Sequence, residues 1–123
     1  MQPDPETIVQ RQLDAYNGRD LGALLSIYAE DAEMFEHPAT LLARGSAALR
    51  ERFMARFQEP NLHAHLLSRI VMGQTVIDHE EITRTFPEGP GRLTMIMIYE
   101  VRGDRIARAW SLAGARILDC PPA

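Results

Sequence analysis

Apolar residues recur with a helical period up to Pro60 and with a period of two after it. Asp4-Pro5-Glu6 supplies an N-cap followed by proline at the first helical position, and Asn17-Gly18 supplies a stop, so the chain opens with a helix whose apolar stripe is Ile8, Val9, Leu13 and Tyr16. Asp20 caps a second helix, in which Leu21, Leu24, Leu25 and Tyr28 follow the i, i+3, i+4, i+7 spacing of one helix face. The two helices form a hairpin. Residues 32–38 read as a short strand closed by Pro38, and 41–43 as a still shorter one. Gly45-Ser46 introduces a third helix that turns Ala48, Leu49, Phe53 and Phe57 inward and leaves Arg50, Glu51 and Arg56 in water, and Pro60 ends it.

Beyond Pro60, residues 62–72, 76–86, 93–101 and 106–112 alternate as successive strands, with glycine at each break: Gly73-Gln74, Pro87-Glu88-Gly89-Pro90-Gly91 and Gly103-Asp104. Helices first and strands afterwards predict an α+β domain, its three N-terminal helices packed on one face of a strongly curved, mostly antiparallel sheet. One domain over 1–123 is expected, with its core at about 5–114 and a short tail at 115–123. In the last strand, an inward phase of Ala107, Ala109 and Ser111 leaves Ile106, Arg108, Trp110 and Leu112 outward. An exposed tryptophan beside an arginine predicts a homodimer through the outer face of the sheet.

At 123 residues and 46% hydrophobic content the chain has enough apolar surface for one core. Its net charge of -4 comes from mixed signs without a basic block, which argues against nucleic-acid and membrane partners. No apolar run reaches the length of a membrane span, and the N-terminus lacks the basic and apolar regions of a signal peptide, so a cytoplasmic location is the expectation. All thirteen basic residues are arginine. The absence of lysine excludes Schiff-base chemistry and a phosphate-loop lysine. Cys120 stands alone in a Pro-rich segment and reads as an inert thiol.

The candidate chemistry lies first in two histidine-bearing stretches, Leu62-His63-Ala64-His65 and Ile77-Asp78-His79-Glu80-Glu81. His63 and His65 share a strand face, and if that face and His79 point inward, imidazoles line a pocket. Glu36 and His37 end the first strand beside a proline, where a carboxylate or imidazole in an apolar pocket suits proton transfer. Gln12, Tyr16, Tyr28 and Tyr99 bring hydrogen-bonding tips on largely apolar bodies, with Phe53, Met95 and Met97 as apolar, adaptable wall. Glu80 and Glu81 read as members of an alternating charged outer face, within reach of His79 or Arg84. His63-Ala64-His65 has chelating spacing but no accompanying cysteine or carboxylate pattern, so no metal site is expected.

The element order, together with Val9-Gln10-Arg11-Gln12, Asn17-Gly18-Arg19-Asp20-Leu21, Tyr28-Ala29-Glu30-Asp31-Ala32 and Gly45-Ser46-Ala47-Ala48-Leu49-Arg50, resembles the nuclear transport factor 2-like superfamily, especially its ketosteroid isomerase-like and SnoaL-like branches. The resemblance covers roughly residues 5–114 and implies the cone-shaped form of the α+β fold. It implies a base at Glu36, counting from Asp31-Ala32, or at His37, counting back from Pro38. Ketosteroid isomerases pair their aspartate base with an oxyanion hole of tyrosine and protonated aspartic acid. Here those two positions fall on Gln12 and Met97, so steroid isomerisation by that route is not expected. Two functional classes follow. One is a cofactor-independent isomerase or lyase acting by general acid-base chemistry on a small hydrophobic carbonyl or hydroxyl compound, with Glu36, His37 or His79 moving the proton. The other is a non-catalytic ligand-binding or dimerisation module of the same fold.

Overall fold

The computed structural model describes residues 3–119. Three helices, α1 (Pro5–Asn17), α2 (Leu21–Ile27) and α3 (Gly45–Phe57), pack on seven strands: β1 (Tyr28–Glu36), β2 (Thr40–Arg44), β3 (His63–Met72), β4 (Thr75–Phe86), β5 (Gly89–Arg102), β6 (Arg105–Ala113) and β7 (Ile117–Leu118). The expected α+β architecture is present, with helices against a curved mixed sheet. Strand order is β2-β1-β6-β5-β4-β3, with β7 on β5. Among the described residues only the β1–β6 pairing is parallel; it starts at Tyr28 opposite Ile106.

The helix starts follow from capping. Asp4 accepts a hydrogen bond from the Thr7 amide at 2.8 Å and Pro5 needs no partner for a missing N–H, while Asp20 accepts from the Ala23 amide at 3.1 Å. The α1 stop serves the tertiary structure as well: the Asn17 side chain donates to the Ala64 carbonyl at 2.9 Å and accepts from the Ala64 amide at 2.8 Å, clamping α1 to β3. Tyr28 leaves the helical stripe in which the sequence places it. Its backbone is extended and opens β1, because pairing with β6 satisfies its backbone there.

Two apolar clusters fill the interior. The larger joins Ile8, Val9, Leu24, Leu49, Phe53, Val76 and Ile106, and the smaller joins Leu13, Leu62, Ala64, Ile82, Phe86 and Leu93. Tyr16, Phe57 and Met95 pack against both. Tyr16 meets Phe57 edge-on at 5.7 Å between ring centres and Phe53 at 6.4 Å, a preferred aromatic arrangement.

Three features depart from the sequence reading. Ile106, expected outward, is fully buried, because a bulge between β5 and β6 inserts Ala107 between the pairs Val101–Ile106 and Glu100–Arg108 and so reverses the phase. The glycine-rich stretch after Phe86 is shorter as a turn than expected, since β5 already begins at Gly89. The expected tail returns to the sheet: Ile117 and Leu118 pair with Arg92 and Gly91. Gly91 permits this, because a Cβ there would collide with the Ile117 carbonyl oxygen and lie 3.1 Å from the Leu118 Cα. Cys120 lies outside the described residues.

Candidate active site

α1, α3 and the concave sheet face border a cavity of about 460 Å³. Gln12 and Tyr16 of α1, Tyr28 of β1, Phe53 of α3, and Met97 and Tyr99 of β5 line it, as the sequence suggests. Glu36 and His37 also line it, from solvent-exposed positions. The His37 amide donates to the Ser111 carbonyl at 2.8 Å, which holds this end of β1 against β6.

His63, His65 and His79 do not reach the cavity. All three are exposed on the opposite sheet face, where His63 pairs with Thr83, His65 with Glu81, and His79 with Ser68 and Ile96. The reason is the phase of β4. Val76, Asp78, Glu80, Ile82 and Phe86 are buried, so the even-numbered positions face the helices and His79 faces out. Glu80, read from the sequence as an outer-face charge, therefore enters the cavity. The apolar signal at Val76, Ile82 and Phe86, all an even number of residues apart, carries this phase in the sequence.

Glu80 is 3% exposed, and its neighbour on the same face, Asp78, is 0% exposed. Asp78 is compensated: Arg69 Nε donates to Oδ1 at 2.7 Å and Nη2 to Oδ2 at 3.0 Å, while Arg69 Nη1 donates to Gln10 Oε1 at 2.9 Å. Glu80 makes no hydrogen bond with the described residues. Its carboxyl is raised to about 7, first by burial and then by the Asp78 charge, with Arg69 pulling in the opposite direction. A carboxyl titrating there holds or releases a proton near neutral pH, as a general acid-base catalyst must.

The polar floor lies near this group. The Tyr99 hydroxyl donates to Gln12 Oε1 at 3.2 Å. The Tyr28 hydroxyl is buried without a hydrogen-bond partner among the described residues. Burial raises both phenols above their ordinary range, at Tyr28 against a smaller lowering by the nearby Gln12 side chain, so they remain protonated donors at neutral pH. An unpartnered buried hydroxyl is costly, and its cost falls when a ligand oxygen accepts from it. Met34, Met95 and Met97 supply the adaptable wall.

Four arginines also line the cavity: Arg52, Arg56, Arg84 and Arg116. The sequence reading missed them and left Arg56 in water, whereas Arg56 is half-buried. Among the described residues no group of three or more His, Cys, Asp or Glu side chains could hold a metal ion. No helix among them is long and apolar enough to cross a membrane.

The SnoaL-like domain model matches residues 9–109. The chain belongs to the SnoaL-like family. Similar folds include a cystatin-fold protein from Novosphingobium aromaticivorans, 21% identical over 89% of this chain and 98% of that one, with a TM-score of 0.82. A candidate polyketide cyclase from Sinorhizobium meliloti is 26% identical over 86% and 94%, with a TM-score of 0.70. IdmH from Streptomyces antibioticus, also a candidate polyketide cyclase, is 20% identical over 90% and 92%, with a TM-score of 0.76. No curated protein matches the chain by sequence.

Proposed function

We propose that this SnoaL-like domain binds a small, largely apolar carbonyl compound and moves a proton on it by general acid-base chemistry, without an organic or metal cofactor. Glu80 carries this reading as an uncompensated carboxyl on the cavity wall, raised to about 7. Its carboxylate removes a proton from carbon or oxygen of the bound compound, and its acid form returns one. The Tyr28 hydroxyl and the Gln12 amide donate to the oxygen on which negative charge develops. This replaces, with different residues, the oxyanion hole that Gln12 and Met97 remove from the ketosteroid isomerase pattern. Glu36 and His37, at the exposed end of the same cavity, exchange the proton with solvent. The names of the relatives from Sinorhizobium meliloti and Streptomyces antibioticus favour a carbonyl substrate.

Exchange of α-protons into deuterated water, followed by NMR over a panel of cyclic ketones and 1,3-dicarbonyl compounds, tests the reading. Glu80→Gln is expected to slow exchange by roughly a hundredfold to ten-thousandfold while leaving binding in place, with smaller losses for Glu36→Gln and His37→Gln. Equal exchange in Glu80→Gln and wild type overturns it. Binding without exchange by the wild type favours the alternative, a non-catalytic binding module.

We also propose a homodimer through the outer face of the sheet. Ile70, Ile77, Ile98 and Trp110 stand in register across β3, β4, β5 and β6, and Phe35 of β1 stacks on Trp110 at 5.6 Å between ring centres. This apolar row crosses five strands on the face opposite the helices, and a second copy of the chain would cover it.

A further inference from the structure

The cavity's four arginines are not equivalent. Arg84 donates to both oxygens of Glu59, at 3.1 and 2.7 Å, and its guanidinium lies 5.2 Å from the Phe86 ring centre. Arg116 lies 4.7 Å over the same ring and 3.6 Å from Glu88. These two have partners. Arg52 and Arg56 stand one turn apart on α3, a spacing at which like charges repel. Arg52 forms no ion pair among the described residues. Among those residues Arg56 reaches only Glu59, at 3.6 Å, and that carboxylate is already held by Arg84 and by the Thr85 amide at 2.9 Å.

Arg56 and Arg84 thus share one carboxylate while Arg52 has none, and the two least compensated, Arg52 and Arg56, line the cavity from α3 together with Phe53. Half-buried cations of this kind persist where an anion completes them. A carboxylate fits better than a neutral oxygen because each guanidinium offers a planar fork of donors that matches its two oxygens.

We propose that Arg52 and Arg56 form a carboxylate subsite, so that the ligand of this cavity is an apolar organic acid. The acid group sits against α3, the apolar body lies along Phe53 and the methionines, and the reacting carbon is presented to Glu80. The assignment rests on the reading of this cavity as the substrate site. It narrows that reading from a carbonyl compound to one that also bears a carboxylate.

Isothermal titration with 2-naphthoate and with its neutral isostere 2-naphthamide tests the subsite without knowledge of the natural ligand. The wild type is expected to bind the acid about tenfold more tightly than the amide at low ionic strength, a preference that falls as salt is added. The Arg52→Gln/Arg56→Gln variant is expected to bind both equally, with amide affinity unchanged. Arg52→Gln alone, which removes no ion pair among the described residues, is expected to lose about threefold or more for the acid only, and Arg52→Lys/Arg56→Lys to retain part of the preference. Glu80→Gln should keep the full preference for the acid, which separates the subsite from the catalytic assignment. Equal wild-type affinity for acid and amide, or equal losses for both probes in the arginine variants, overturns the subsite and leaves the apolar cavity reading standing. Binding of neither probe overturns both.

Discussion

Asp78 and Glu80 project from the same face of β4, yet only Asp78 has a counter-ion, the bidentate Arg69. Two buried carboxylates on one strand cannot both ionise cheaply without two compensating charges. Arg69 compensates Asp78, while burial first and the Asp78 charge second hold the proton on Glu80. The ion pair thus does more than join β3 to β4, since Asp78 raises and Arg69 lowers the carboxyl that burial has already raised.

Replacing Glu80 changes stability with a definite pH dependence. Its folded carboxyl is raised to about 7 from an unfolded value near 4.5, so the folded state binds the proton more tightly and stability falls as pH rises through that window. Glu80→Gln keeps the neutral shape at every pH. It should match the wild type below about pH 4 and exceed it above about pH 7, by on the order of 3 kcal/mol. Urea denaturation at pH 4, 6 and 8 checks this, and a gain that is the same at all three values would contradict it.

Removing Arg69 leaves Asp78 buried and uncompensated. Arg69→Ala is expected to cost about 3–5 kcal/mol, measured by chemical denaturation. Asp78→Asn should lower the Glu80 titration, because it removes the charge that raises Glu80 and releases Arg69, which lowers it.

His63, His65 and His79 face away from the cavity, so their simultaneous change to glutamine should alter ligand affinity by less than about twofold. Titration with 2-naphthamide provides the measurement. A loss as large as that of a cavity residue would contradict the β4 phase.

At the centre of the apolar outer row, Ile98→Arg should convert a homodimer into a monomer by burying an unpaired charge in the interface. Sedimentation velocity at micromolar concentration reads this directly. A wild type that is monomeric there would end the dimer proposal.

Gly91→Ala should displace β7, because the added methyl meets the Ile117 carbonyl. The expected cost is about 1–3 kcal/mol, read from thermal melting, with faster exchange of the Leu118 amide.

The helices were legible because their stops and starts are local: Asp4, Asp20 and Pro60 act within a turn of where they stand. Gln12, Tyr16, Phe53, Met97 and Tyr99 were legible because they lie on the inward side of their own elements, whereas Tyr28 reaches the cavity from β1 and not from the helix in which the sequence placed it. The strand phases were harder. Both faces of β4 carry apolar and polar residues, so the even spacing of Val76, Ile82 and Phe86 competes with Ile77 on the other face, and packing against α1 completes the choice. Histidine is the more familiar catalytic residue, but its presence does not set which face of a strand is buried. The bulge that inverts Ile106 arises from pairing between β5 and β6 and has no marker within β6 itself. Glu80 was hidden for the same reason: its role depends on Arg69, eleven residues away in sequence, satisfying its neighbour instead.

The most direct test is a carbon-detected NMR titration of the glutamate side-chain carboxyls, with Glu80 assigned by the signal missing in Glu80→Gln. One carboxyl titrating at about 7 in the wild type, and shifting when a cavity ligand binds, is the expected result. A Glu80 that titrates near the ordinary glutamate value of about 4.3 and ignores the ligand would contradict the acid-base reading of this cavity.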